Sequence, residues 1–407
     1  MAQKLLLKRG SSKAISSYVG DSGEVVFDTD LNTLRTQDGS TSGGHILALQ
    51  EYVQKFVLQT LGQTTYYRRP SLFATTKTSI TIPKNTQVAI SGEVYISNND
   101  TTLQLSSVGS GSSLAGKDVY VYAIPGSSAV DGYYNDCKFV LSLNSTVPTG
   151  YTASNSRKIG GFHCLCADVG TISGHTLSGY TVGQIIPNSN WDLLHRPYMD
   201  PEGCVFISDL NLWCQIYLPS FDNGKLVSRY NAEICDGNSS TKLNGELFAY
   251  YALKSGGRLI TRDEFTVVMR GSNEQTNIAG STDPGTTGGH KDTAGRRMIN
   301  NYGIEDGCGV LWQWGADCYE NYPNSTWNTS NYYLVGYDWQ DKSVYHPTYD
   351  SQNYGSCFGL LRRCLLGASW GNGVDCGSRA VHCGNFSAEG WIAYSARVVG
   401  PSIAYTL

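Results

Sequence analysis

Charge is scarce in this 407-residue chain: Asp, Glu, Lys and Arg make up 16% of it, against roughly 25% in an average soluble domain. The net charge is only −4, and no basic stripe with interleaved aromatics runs through the sequence. Both features argue against a nucleic-acid partner. No apolar run approaches the ~20 residues that span a bilayer, which argues against membrane insertion. The opening "MAQKLLLKRG" has only three consecutive leucines before Lys8 and Arg9. That is too short for the apolar centre of a signal peptide, so the expectation is a soluble chain made in the cytoplasm. The 12 cysteines form no C-x-x-C pair, and no His-x₃₋₅-His accompanies them. Neither zinc nor any other cofactor is implied, and reduced, mostly buried thiols are the expected state.

Gly (46) and Tyr (27), with abundant Ser, Thr and Asn, take the place of charge. Turns and strands use these residues, whereas helices lean on Glu, Lys, Ala and Leu. The composition therefore predicts a mostly β, multidomain chain, since 407 residues exceed one ordinary core. Residues 1–49 are short apolar clusters cut by turn signals, with strand-like "EVVFDTD" and "TLRTQDG", a unit too thin to hold a core alone. A short helix is expected at "QEYVQKFVLQTL" (50–61), with one apolar stripe. From about 64 to 182 come "SITIPKNTQVAISGEVYI", "KDVYVYAI", "CKFVLSL" and "SRKIGGFHCL", the alternating short strands of a sandwich. After 183 the texture changes. All eight tryptophans lie at or beyond Trp191, and "TRDEFTVVMRG" has Thr261 and Glu264 in capping-box spacing. A long polar loop, "SNEQTNIAGSTDPGTTGGHKDTAG" (272–295), follows. Few helices and long loops on a small sheet suit a display architecture.

The end of the chain, "GASWGNGVDCGSRAVHCGNFSAEGWIAYSARVV" (367–399), interleaves two patterns. One is a stiff frame of Trp370, Gly377, Ser378, Arg379 and Arg397. The other is a set of fillers with no common chemistry. Residues 369, 371, 373 and 375 step by two, as do 389, 391 and 393; in extended chain that puts their side chains on one side, with Trp370, Val374, Cys376 and Ile392 turned inward.

Taken in order, "VVFDTDLNTLRTQDGSTSGGHILA", "SRKIGGFHC", "WDLLHRPYMDPEG", "GGRLITRDEF", "GCGVLWQWG" and "GASW…GSRA…ARVV" resemble the major tropism determinant family of bacteriophage receptor-binding tail proteins. They also resemble the wider set of variable proteins diversified by retroelements. The resemblance implies an N-terminal β-prism (1–62), an intermediate β-sandwich (63–182) and a C-terminal C-type-lectin-like α+β domain (183–407), related to that of formylglycine-generating enzymes. It implies a homotrimer on the phage tail, acting outside the cell, with a bacterial surface receptor and other tail proteins as partners. The variable region would span about 360–399. Matching the frame without gaps puts the family's variable, ligand-binding positions on Ser369, Gly371, Asn372, Gly373, Asp375, His382, Gly384, Asn385, Glu389, Trp391, Ala393 and Tyr394. That mixture suits a paratope, where rigid aromatic anchors sit beside small adaptable groups. Errors at the adenines of an Asn codon with its third base fixed do not yield Glu or Trp, so Glu389 and Trp391 come from other template codons or are fixed. The Tyr-rich insert 319–357 exceeds what the resemblance requires.

Plainer readings compete. Trp370 is expected as a core anchor, and Arg379 and Arg397 as structural residues satisfying loop carbonyls or a carboxylate. Asp375 and His382 have no nucleophile beside them for acid–base work. "GSCFG" (355–359) lacks the setting of a nucleophile elbow. "GSGSSLAG" (109–116) lacks that of a phosphate loop. No Glu-Pro-Asn or Gln-Pro-Asp sugar–calcium motif is present. Two other functions stay open: an oxidase of the formylglycine-generating type using Cys376 and Cys383, and a purely structural tail fibre.

Overall fold

The structure, a computed structural model, describes residues 8–31, 33–48, 74–130, 134–319, 362–383, 385 and 390–402. The helix expected at 50–61, the Tyr-rich insert beyond residue 319, "GSCFG", Gly384 and Glu389 lie outside the described residues. The chain divides into two compact units, one within residues 1–69 and one from Pro70 onward.

In the first unit, Lys8–Gly10, Val25–Asp28, Thr33–Thr36 and His45–Ala48 form a four-stranded sheet in that order. The first pair is parallel and the others antiparallel. Among the described residues its buried apolar side chains are only Ile15 and Val26. Polar ties do part of the work. The buried Asp28 carboxylate accepts hydrogen bonds from Ser12 Oγ at 2.8 Å and Arg35 Nε at 3.1 Å, joining the first helical turn to the third strand.

The second unit begins with two sheets around one core. Strands Trp191–Asp192, Arg157–His163, Asp118–Val130, Tyr134–Ser142, Glu93–Ile96 and Gln87–Ile90 make a six-stranded sheet; Ala74–Thr75, Ser79–Ile82 and Thr101–Gln104 make a smaller one. Ile80 and Ile82 from the small sheet interdigitate with Val88, Val119, Val121 and Phe139 from the large one, the packing of a β-sandwich. The hairpin Gln87–Ile90/Glu93–Ile96 closes through Ser91 and Gly92 alone, at φ 50° and 90°. Positive φ at both turn residues matches the twist of the flanking strands. The segment after the sandwich packs onward: Leu165, Cys166, Val169, Leu177 and Ile186 share a core with Tyr217, Ile260 and Phe265. His163 bridges the two parts, with Asp118 Oδ1 at 2.9 Å and Tyr217 Oη at 3.0 Å.

The remainder is built on two four-stranded sheets. One has the order Cys204–Ile207, Leu212–Gln215, Val398–Pro401, Arg258–Leu259; the other Val381–His382, Arg362–Leu366, Trp312–Tyr319, Tyr394–Ala396. Helix Arg262–Val268 starts with the capping box expected, the Thr261 and Glu264 side chains each accepting from the other residue's backbone N–H. Helix Gly245–Lys254 was not anticipated; Asn244 caps it, its Oδ1 accepting from Leu247 N at 2.9 Å. Buried Trp213 and Trp314 anchor one shared core under these sheets.

Candidate functional site

Arg397 sits where the chain crosses from strand Tyr394–Ala396 to strand Val398–Pro401, with none of its surface exposed. Its Nε donates to Gln313 Oε1 at 2.8 Å, and its Nη1 to the carbonyls of Gln215 and Ile216, both at 3.0 Å. Nη2 donates to the carbonyls of Glu305 and Asp306 at 3.0 and 3.3 Å. A guanidinium offers five donors in a fixed fork and no acceptor, so a cage of loop carbonyls is the environment it can satisfy without a carboxylate. This is the structural role expected of Arg397. Arg379 differs: its side chain is exposed, and its guanidinium has no partner among the described residues. The frame position needs no buried cation there, because the loop around it is held through other atoms.

Those atoms come from residues 274–277, in the long polar loop. Glu274 Oε1 accepts from Ser378 N at 3.1 Å and Ser378 Oγ at 2.7 Å. Gln275 N donates to the Cys376 carbonyl at 2.8 Å, and Asn277 Nδ2 to the Trp370 carbonyl. Trp370 N in turn donates to the Val310 carbonyl at 2.9 Å. A Cβ on Gly377 would lie 2.0 Å from Glu274 Oε2, so any larger residue there makes the carboxylate shift. Trp370 is half-buried and packs against two core clusters, an anchor as expected. Nothing in the local pattern marks Glu274 or Asn277; both look like ordinary loop polar residues until the fold brings them under the C-terminal stretch.

The candidate binding residues separate into three groups. Gly371, Asp375, His382 and Trp391 are exposed, Trp391 by 56%, while Asn372, Gly373 and Asn385 are half-buried. Ser369, Ala393 and Tyr394 are buried, which corrects the expectation that they face solvent. Gly384 and Glu389 fall outside the described residues. The period-two argument fails for physical reasons at both ends. Residues 369–375 are a loop with a 3₁₀ turn at Gly373–Asp375, so they do not alternate. Ser369 turns in, its N and Oγ both donating to Asn372 Oδ1 at 2.9 and 2.8 Å. Val374, expected inside, is 74% exposed. Strand Tyr394–Ala396 is buried along its length, and Ala393 precedes it with its carbonyl accepting from Trp312 N at 2.8 Å. The Tyr394 ring lies 5.3 Å from Trp314 and 5.4 Å from Trp391, both edge to face. Its hydroxyl accepts from Asn385 Nδ2 at 2.5 Å, so a large aromatic links surface to core instead of standing free.

Trp312 was missed as a contributor. It pairs in register with Tyr394, is half-buried, and lies 6.0 Å from the His382 ring. The only signal was its place in "GVLWQWG". Two ring contacts thus border the surface, His382 with Trp312 and Tyr394 with the exposed indole of Trp391. Two open concavities of about 600 and 500 Å³, one beside Lys291 and Arg296 and the other beside Arg196 and Tyr198, share no residue with this surface. Among the described residues no group of three or more His, Cys, Asp and Glu side chains is arranged to hold a metal.

Comparisons with known proteins fit this architecture. Residues 70–192 match the family model described as the Mtd second domain. The chain is 27% identical over 336 residues to the "Tail fiber receptor-binding protein" of Bordetella phage BPP-1, covering 78% of this chain and 82% of the other. Among solved structures, the Major Tropism Determinant P3c variant superposes with a TM-score of 0.63 at 25% identity, and the U1 variant with 0.63 at 24%; each comparison covers 98% of this chain and 100% of the other. Residues 70–192 are thus similar to the Mtd second domain, and the chain is similar in sequence to that tail fibre protein and in its mostly β, C-type-lectin-type fold to the Major Tropism Determinant.

Proposed function

We propose that this chain is a phage tail receptor-binding protein that determines which bacterial surface the particle recognises. The observation that carries the reading is the exposed set Gly371, Asp375, His382 and Trp391 on backbone held by other elements: Asn277 and Glu274 hold the loop at Trp370 and Ser378, Leu365 pairs with His382, and Gly237 N donates to the Trp391 carbonyl. Side-chain identity at such positions is free to change while the loop course stays the same. One exposed indole beside small and polar neighbours, away from the two concavities, suits a macromolecular partner more than a small substrate. The domain plan of prism (1–62), sandwich (63–182) and lectin-type display domain (183–407), the homotrimer and retroelement-driven variation at the fillers belong to the same reading. In a trimer, weak single sites would gain ~10²–10⁴ in avidity on one cell. The particle's tail would be the working location, with other tail proteins as partners.

The competing oxidase reading requires a reactive thiolate. Cys376 is buried, and burial, with Asp375 adding to it, pushes its thiol up to about 11. Burial also raises Cys383. Neither thiol is held as the standing thiolate that catalytic turnover needs, which leaves only the slow exchange of an ordinary thiol. The direct test is competition: purified chain added to host cells should block adsorption of the phage. Trp391→Ala should lose that block while keeping its Tm. A folded Trp391→Ala protein that competes as well as the parent would remove the C-terminal surface from the proposal.

A further inference from the structure

Two cysteines that the binding surface does not use face each other across a pair of strands. Arg362–Leu366 runs antiparallel to Val381–His382, with Leu366 opposite Val381 and Leu365 opposite His382. One more step in that register sets Cys364 opposite Cys383. The kind of pair also follows. Gly367 N donates to the Ala380 carbonyl at 3.0 Å, so 367/380 is a hydrogen-bonded pair. Antiparallel ladders alternate, which makes 366/381 non-hydrogen-bonded, 365/382 hydrogen-bonded and 364/383 non-hydrogen-bonded. Non-hydrogen-bonded pairs approach to ~4.5 Å between Cα atoms, within the ~4.4–6.8 Å a disulfide spans. Opposed residues share a sheet face, and these two do: Cys364 is part of the core cluster with Ile260, Phe265 and Leu366, and Cys383 packs against that cluster. Both thiols are free here; Cys364 Sγ lies 3.7 Å from Asp317 Oδ2, and Cys383 is half-buried and so open to a small reagent.

We propose that Cys364 and Cys383 are a cross-strand disulfide site that closes when the protein leaves a reducing compartment and meets a small-molecule disulfide. The accessible Cys383 thiolate attacks one sulfur of that reagent, forming a mixed disulfide and releasing one small thiolate. The Cys364 thiolate then attacks the Cys383 sulfur, forming the protein S–S bond and expelling the second small thiolate. The two protons lost by the cysteines end on the two small thiols, so two protein thiols and one disulfide become one protein disulfide and two thiols. Closure ties the strand bearing His382 to its neighbour and encloses the loop with Gly371, Asn372 and Asp375. It braces the candidate surface without touching an exposed filler, and as chemistry it does not depend on the receptor reading.

The test uses the full chain, incubated with and without oxidised glutathione, then alkylated, digested without reductant and mapped by mass. The expected result is a peptide pair joined through Cys364 and Cys383, 2 Da lighter than the two thiols. A Tm higher by roughly 5 °C, reversed by reductant and absent in Cys383→Ser, should accompany it. Should Cys364→Ser fail to fold, the wild-type map and Cys383→Ser still decide. Complete alkylation of both cysteines after oxidation overturns the proposal, as does a link from Cys383 to Cys318 or Cys376.

Discussion

Residues 393–400 and residues 371–375 belong to one C-terminal stretch, yet the fold treats them oppositely. The first stretch is buried throughout, and Arg397 within it donates five hydrogen bonds to fixed acceptors. The second is a turn with Gly371, Val374 and Asp375 exposed. Its course is set from outside, by Asn277 on the Trp370 carbonyl, Gln275 on the Cys376 carbonyl and Glu274 on Ser378. Polar bonding aimed at frame atoms, not at filler side chains, lets one region stay constant while the other is free to differ. Asn372 is the exception, because its side chain caps Ser369. It is the filler whose replacement should disturb the loop.

The contrast is broken most severely at Arg397. Arg397→Met keeps the aliphatic stem but strands the Gln313 amide oxygen and the carbonyls of Glu305 and Asp306 in a buried site, and leaves those of Gln215 and Ile216 with only the Cys214 thiol and Glu305 N. Each unsatisfied buried acceptor costs about 1–3 kcal/mol. The total should exceed about 4 kcal/mol and leave the C-terminal domain unfolded or molten, read by thermal denaturation and near-ultraviolet circular dichroism. Ala393→Tyr comes next and tests a correction. The resemblance places Ala393 among changeable positions, whereas the structure buries it in the core with Trp314 and Ala396. Forcing a ring into that site should cost about 1–3 kcal/mol, seen as a fall in Tm. An unchanged Tm would mean that Ala393 faces solvent and that the strand edge is misassigned.

How far the sequence discloses this division depends on whether the signal is local. The sandwich strands alternate, and the structure has strands in 79–96, 118–130 and 157–163. The capping box at Thr261 and Glu264 is a local motif and forms as such. Arg397 could be read as structural because a guanidinium in a stretch rich in loops finds carbonyls or a carboxylate to satisfy it. The exposure of Val374 and the burial of Tyr394 could not be read that way, since period two holds only in extended chain and on a sheet with one wet face. The brace was invisible for another reason: Glu274 meets Ser378 across a sequence separation of 104, and no local pattern records such a contact. Trp312 shows the same limit, as its nearness to His382 depends on two strands pairing far from it in sequence.

Glu274→Ala sharpens the comparison with a smaller effect. Glu274 is exposed, so water replaces much of what Ser378 loses, and the stability cost should be about 1 kcal/mol. Adsorption competition should suffer more than Tm, because the loop after Gly377 loses its guide while the core does not. Equal, small losses in both would mean that Glu274 exchanges Ser378 for water without steering the loop. A large fall in Tm would place Glu274 in the frame.

The smallest effect is the most informative about the surface. Asp375→Tyr exchanges one filler for a far larger one, the same incoming side chain as Ala393→Tyr, at an exposed site whose backbone N donates to the Asn372 carbonyl at 3.1 Å. That bond survives the substitution, and the Asp375 side chain fills no core position. Stability should stay within about 0.5 kcal/mol of the parent, while binding to the native host surface changes. The two Tyr substitutions therefore form one experiment: a wide gap in Tm between Ala393→Tyr and Asp375→Tyr marks where frame ends and display begins. If Asp375→Tyr also destabilises by more than about 1 kcal/mol, the turn at Gly373–Asp375 is part of the fold's support. The freely variable surface would then shrink to the strand end at His382 and the exposed Trp391.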